Sequence, residues 1–169
     1  MVPLIGIDYQ SMSARRFVVD SRQKGARTET LARDMLRKHT GLGWERVPGS
    51  GALDAKHGLK GDLYVPNHVN NYCVEVKGYA EDHINSGLLT HKTPQIVEWW
   101  QQTQRQAFQV DKMPLLIFKY DRSKLFGATA FVCDNMMEKR WLMFYSPDYE
   151  FYMFLLEDWL QNSKTKFVD

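Results

Sequence analysis

Two short stretches, Gly61-Asp62 and Cys73-Val74-Glu75-Val76-Lys77, carry two carboxylates and an amine that adjacent strands would bring together. The segment from Tyr72 to Lys77 alternates and is β-branched, which predicts a strand. Residues two apart on a strand share a face, so Glu75 and Lys77 project together, beside whatever Asp62 offers from the neighbouring strand. Paired hard oxygen donors suit Mg²⁺ or Mn²⁺, and an adjacent ammonium suits charge developing on a phosphate. Such a grouping has the chemical means to hydrolyse a phosphodiester.

An acid-x-Lys triplet alone is weak, because a chain with 20 acidic residues produces on the order of one by chance. A second triplet, Asp54-Ala55-Lys56, lies in a glycine-flanked polar stretch where no alternation fixes its geometry, and it reads as a solvated loop. Glu75 is different, since a carboxylate within an apolar strand is costly to bury unless it is paired or bound to metal. The bland readings are a strand-start cap for Asp62 and a snorkelling surface side chain for Lys77. A third acid, Glu29, falls on a basic helix in Lys24-Gly25-Ala26-Arg27-Thr28-Glu29, where the plain alternative is a pair with Arg33 one turn on.

The elements that must position these groups follow from periodicity. Ser21 to about His39 is helical, with Leu31, Met35 and Leu36 on one stripe, and Gly41 and Gly43 end it. Short strands are expected at Trp44 to Val47 and Asp62 to Val65, separated by the Pro48-Gly49-Ser50-Gly51 turn and a polar loop to Lys60. After the Tyr72 to Lys77 strand, Gly78 to Lys92 reads as a loop. A helix then starts at Thr93-Pro94, with proline in its first turn, and runs to about Val110. Pro114 to Tyr120 is a strand of the buried kind, followed by strands near Ala128 to Cys133 and Trp141 to Tyr145. A last helix is expected from about Asp148 to Leu160, aromatic on its apolar side. The order predicts an α/β fold in which helices flank a mixed central sheet.

Length and composition bound the rest. The 169 residues suffice for one domain with a buried core, and 44% hydrophobic content argues against disorder. No apolar run approaches the roughly 20 residues that span a bilayer, and the short apolar start, which lacks a basic leader and meets Asp8, does not read as a signal peptide. Cys73 and Cys133 fall in expected strands and read as buried free thiols, which points to a reducing cytoplasm, the host's if the source is viral. The five histidines share no metal spacing, so zinc is not expected, and no glycine-rich loop supports a nucleotide cofactor. The net charge is only +2, yet Ser11 to Lys60 holds eleven Lys or Arg against five Asp or Glu, while Phe131 to Asp169 is acidic. A surface polarised in this way can meet phosphate on one side.

Here the residues resemble the PD-(D/E)xK nuclease superfamily, and within it the archaeal and phage Holliday junction resolvases. The resemblance rests on Lys24-Gly25…Glu29, Arg46-Val47-Pro48-Gly49-Ser50-Gly51-Ala52, Lys60-Gly61-Asp62-Leu63, Cys73-Val74-Glu75-Val76-Lys77 and the Pro114 to Lys119 strand. It covers roughly Arg22 to Tyr120, and the Gly-Ser-Gly turn tips it towards the resolvases. The arm at residues 1–19, the catalytic core at 20–126 and the end at 127–169 are read as one nuclease domain whose outer parts are additional to the resemblance. Gly61 stands where the superfamily's name has proline, a departure read as harmless because that position supplies only backbone.

The resemblance implies a restriction-endonuclease-like fold and a Mg²⁺- or Mn²⁺-dependent endonuclease acting on branched DNA, the four-way junction, as a homodimer. Asp62, Glu75 and the main-chain carbonyl of Val76 would hold the metal, with Glu29 completing the shell directly or through water, and Lys77 would orient the attacking water. Ser50 would contact the scissile phosphate. Arg22, Lys24, Arg27, Arg46 and Lys60 are candidate phosphate contacts, and Gln102 or Gln104 would reach the site from the Pro94 helix. Trp99 and Trp100 are read as core or dimer contacts. The aromatic stretch from Trp141 to Trp159 is either the dimer interface or a cover for the chain's own core. The alternatives are another nuclease of the superfamily, restriction-like, flap or repair, and a degenerate DNA-binding or virion structural protein, against which the intact acidic set argues.

Overall fold

The computed structural model describes residues 21–48, 59–132 and 136–169. The arm at 1–19, the Gly49-Ser50-Gly51 turn, the Asp54-Ala55-Lys56 triplet and Cys133 lie outside the described residues. In chain order the elements are α1 (Ser21–Thr40), β1 (Glu45–Arg46), β2 (Leu63–Tyr64), β3 (Tyr72–Tyr79), α2 (Gly87–Thr90), α3 (Gln95–Gln109), β4 (Met113–Tyr120), β5 (Phe126–Thr129), β6 (Trp141–Ser146), β7 (Tyr149–Leu155) and α4 (Leu156–Asn162). Among the described residues the strands form one seven-stranded sheet in the order β1-β2-β3-β4-β5-β7-β6. Among the described strands only β3 and β4 run parallel, linked by the α3 crossover, and every other neighbour is antiparallel. This is the mixed α/β sheet that the element order predicts.

Side-chain alternation sorts the core into two layers. Val74 and Val76 of β3 and Leu115 and Ile117 of β4 pack with Ala32 and Leu36 of α1 and Trp159 of α4. The opposite face carries Leu116, Phe118 and Tyr120 against Ile96, Val97 and Trp100 of α3. Glu75, Lys77 and Tyr79 alternate with Val74 and Val76 and therefore belong to the α3 face of β3.

Three segments depart from expectation, one of them the strand near Ala128 to Cys133, which runs instead from Phe126 to Thr129. The predicted C-terminal helix is instead strand β7 followed by the short helix α4: Tyr149 to Phe154 pairs with β6 and Tyr152 to Leu155 with β5. Its aromatic run has period two: Phe151 and Met153 enter the α3 layer while Phe154 enters the α1 layer. Pro147-Asp148 makes the turn from β6, so Asp148 does not start a helix. In the expected loop at 78–92, β3 runs on to Tyr79 and Gly87 to Thr90 forms the single turn α2.

Several local devices aim the elements at the site. Gly41, with φ +69°, ends α1 by returning its N–H to the Arg37 carbonyl at 3.0 Å. Arg37 then holds the Trp44 carbonyl at 2.7 Å through Nε and Glu45 at 2.6 Å through an ion pair, which folds β1 back along the helix. Buried Asn70 closes the β2–β3 connection, accepting from Val65 N–H at 2.7 Å and donating to the Val65 and His68 carbonyls. Gly78 lets α1 lie close on β3: a Cβ there would sit 2.4 Å from Thr28 Oγ1.

Candidate active site

Asp62 lies just before β2 and is held by three hydrogen bonds. Its N–H donates to the Val74 carbonyl at 2.7 Å, its carbonyl accepts from Val47 N–H at 2.9 Å, and its Oδ2 accepts from Val76 N–H at 2.7 Å. Regular β2–β3 pairing is confined to Leu63 and Val74, so the Asp62 carboxylate takes the place of a ladder acceptor for Val76 where the two strands part. The N–H and C=O of one strand residue project to the same edge, so the Val76 carbonyl faces this fork as well.

The glycine before Asp62 is required. Gly61 has φ +84°, and a Cβ on it would lie 2.4 Å from the Val74 carbonyl oxygen. Proline, locked near −65°, cannot adopt that backbone. The departure at Gly61 is thus more than harmless, because the approach of Asp62 to β3 depends on it.

Glu75 is buried, and its Oε1 receives two donors: Lys77 Nζ at 2.7 Å and Gln102 Nε2 at 3.1 Å. Gln102 is therefore the α3 side chain that reaches the site. Gln104, two residues on and about 200° around the helix, instead lines an open depression with Arg105, Phe108 and Lys112, and the expectation for Gln104 is corrected accordingly.

Burial raises the Asp62 carboxyl from 3.8 to about 7, with the Glu75 charge adding to the rise and the Val76 N–H and Lys77 opposing it. Two carboxylates crowded in a desolvated place are the situation a divalent cation relieves. The hydrogen bonds among the described residues engage one oxygen of each carboxylate, which leaves Asp62 Oδ1, Glu75 Oε2 and the Val76 carbonyl as hard donors. That donor set fits Mg²⁺ or Mn²⁺. Beside it, burial and then the Glu75 charge push the Cys73 thiol up to about 12, so it is no nucleophile at neutral pH.

Glu29 does not meet Asp62 and Glu75 closely enough to be a direct third ligand, so of its two expected routes only the one through water is open to it. Among the described residues no three acidic, histidine or cysteine side chains converge closely enough to hold a metal ion. Its Oε2 is taken by Arg46, from Nε at 2.6 Å, rather than by Arg33, which pairs with Asp34. Glu29 still lies near enough to contribute a rise to the Asp62 carboxyl.

The candidate phosphate contacts divide. Lys24 pairs with Asp121 at 2.7 Å and Arg46 with Glu29; Arg22 and Arg27 are exposed on the first turns of α1, and Lys60 is half-buried two residues before Asp62. Ser50 lies outside the described residues. The pattern that could have revealed one further neighbour is the β3 alternation itself, which continues from Lys77 to Tyr79.

A mixed sheet whose β2–β3 fork gathers an aspartate, a glutamate and a lysine, with a helical glutamate behind them, is the arrangement of the PD-(D/E)xK nucleases. The chain belongs to the nuclease family described as "Phage putative PDDEXK endonuclease", whose model matches residues 20–169. The match includes the segment from 127 onward. Among curated relatives, Protein D14 of Escherichia phage T5 is 42% identical over 154 residues, which covers 88% of this chain and 96% of that protein. Nucleases of this superfamily generally use divalent metals, in keeping with the donors at the fork. No helix among the described residues is long and apolar enough to cross a membrane.

Proposed function

We propose that this protein is a Mg²⁺-dependent DNA endonuclease that resolves four-way junctions by paired cuts as a C₂ homodimer. The observation that carries the hydrolytic part is the meeting of Asp62 and Glu75 beside Lys77 at the β2–β3 fork. The junction specificity is supported by the sequence resemblance through Arg46 and the Gly49-Ser50-Gly51 turn.

Asp62 Oδ1, Glu75 Oε2 and the Val76 carbonyl would hold the ion. When bound, it supplies a Lewis acid for the phosphate oxygens and lowers the pKa of a coordinated water. The chain's own groups do the rest. Gln102 and the Val76 N–H fix the two carboxylates in orientation, at 3.1 and 2.7 Å. Lys77, released from part of its pairing with Glu75, orients the attacking water and stabilises charge on the phosphate. In-line attack leaves a 3′-hydroxyl and a 5′-phosphate, as the resemblance implies. Arg22, Arg27 and Lys60 serve as phosphate contacts, and Lys24 can exchange its exposed pair with Asp121 for a phosphate at little cost.

Paired cuts on a two-fold symmetric junction require two sites at a fixed separation, which a C₂ dimer provides. The test is incubation with Mg²⁺ and labelled four-way, flap, linear duplex and single-stranded DNA. Symmetric nicks confined to the four-way junction support the proposal. Equal cutting of linear duplex replaces it with a restriction-like or repair nuclease, and binding without cutting overturns the catalytic reading.

A further inference from the structure

We propose that Tyr79 is a stacking platform for an unpaired nucleobase next to the scissile phosphate, so that the site reads base exposure as well as backbone charge. The inference rests on the DNA-cleaving function proposed above and deepens it. Tyr79 is two residues beyond Lys77 on β3 and therefore on the same face as Glu75 and Lys77, about 7 Å further along the strand. Tyr79 is 44% exposed although it closes a row that begins with a buried glutamate.

The surroundings brace this ring without covering it. His83 and Trp99 meet Tyr79 at ring-centroid distances of 5.1 and 6.4 Å, with interplanar angles of 81° and 63°. Neither is parallel to it, so no ring among the described residues is stacked on Tyr79. Both backing rings are themselves stacked on buried Tyr120, His83 at 6.3 Å and Trp99 at 6.2 Å. The backbone is equally fixed, since Tyr79 pairs with Tyr120 across β3 and β4 and its carbonyl accepts from Asp121 N–H at 3.1 Å. Trp99 also stands one turn before Gln102 on α3, which ties the aromatic group to the Glu75 carboxylate through a single helix face. A rigid, half-exposed aromatic ring in line with a phosphate-handling lysine is what base stacking needs, and every base has a face to offer it. Fully paired duplex keeps its bases stacked on one another, so this contact favours branch points and single-strand gaps.

The test compares wild type with Tyr79→Phe, Tyr79→Leu and Tyr79→Ala. Cleavage of a linear duplex and of a branched substrate is followed in Mg²⁺, and 2-aminopurine fluorescence is read in EDTA with the probe placed in an unpaired position at the branch. The expected result is quenching by wild type and Tyr79→Phe that is lost in Tyr79→Leu and Tyr79→Ala. The same two losses should raise KM for branched DNA about tenfold, the scale of one base stacked on a ring, with kcat and the linear-duplex KM little changed. Equal losses on both substrates, or unchanged quenching in Tyr79→Leu, overturn the inference. If wild type cuts no DNA at all, the nuclease reading fails by itself, and the fluorescence arm still decides whether Tyr79 stacks a base.

Discussion

At the residue scale the account turns on how buried charge is handled. Replacing Asp62 by Asn or Glu75 by Gln is expected to lower cleavage by about a hundredfold or more, the scale seen when one preorganised electrostatic group is lost, with DNA binding retained in a gel-shift assay. Asp62 also carries a pH signature. Unfolded, its carboxyl releases its proton near 3.8; folded, near 7. Across that interval the folded chain keeps a proton that the unfolded chain has lost, so stability falls as pH rises and the cost is complete above about 7. Asp62→Asn should therefore melt higher than wild type in EDTA at pH 8, and the gain should close by about pH 4; a gain independent of pH would contradict the assignment. Gln102→Ala should reduce cleavage while Gln104→Ala should not, as initial rates would show. Asp62, Glu75 and Lys77 were legible because strand alternation predicts faces directly. The partner of Glu29 was not, because its contact with Arg46 spans 17 positions and depends on how β1 folds back.

At the element scale, two glycines set how near α1 and β2 come to β3. Gly61→Ala faces both a left-handed backbone and a Cβ 2.4 Å from the Val74 oxygen, so it is expected to cost about 2 kcal/mol or more by chemical denaturation. Gly78→Ala meets the Thr28 hydroxyl, which a second change can remove: Thr28→Ala should restore much of what Gly78→Ala loses. Additive losses in that double variant would show that the close approach of α1 is unimportant. Helices α1 and α3 were readable from their stripes, and α3 buries Ile96, Val97, Trp100, Thr103 and Ala107 at helical spacing. Strand β7 is hard to read because Tyr149-Glu150-Phe151-Tyr152-Met153-Phe154 is large and apolar or aromatic at every position but Glu150. A segment buried by both layers of the core shows little polar alternation, and apolar content alone fits a helix equally well.

At the scale of the whole molecule, the C-terminal third is part core and part exposed surface. Phe151, Phe154, Leu156 and Trp159 close the chain's own core, whereas Leu142, Met143 and Tyr145 remain exposed on β6, the last strand of the sheet. An apolar edge strand is a template for pairing, and β6 against β6 is the contact we assign to the proposed dimer. Light scattering should give twice the chain mass, and Tyr145→Lys should return it to one chain and abolish paired cuts. The sequence could not show which of these aromatic side chains would be left outside, since burial depends on pairings between strands far apart in the chain. Beneath all of this lies the two-carboxylate centre, and calorimetric titration of Mn²⁺ into the protein at pH 8 tests it most directly. One ion per chain, lost in both Asp62→Asn and Glu75→Gln and largely kept in Glu29→Gln, is the predicted result; binding that survives either of the first two substitutions would contradict it.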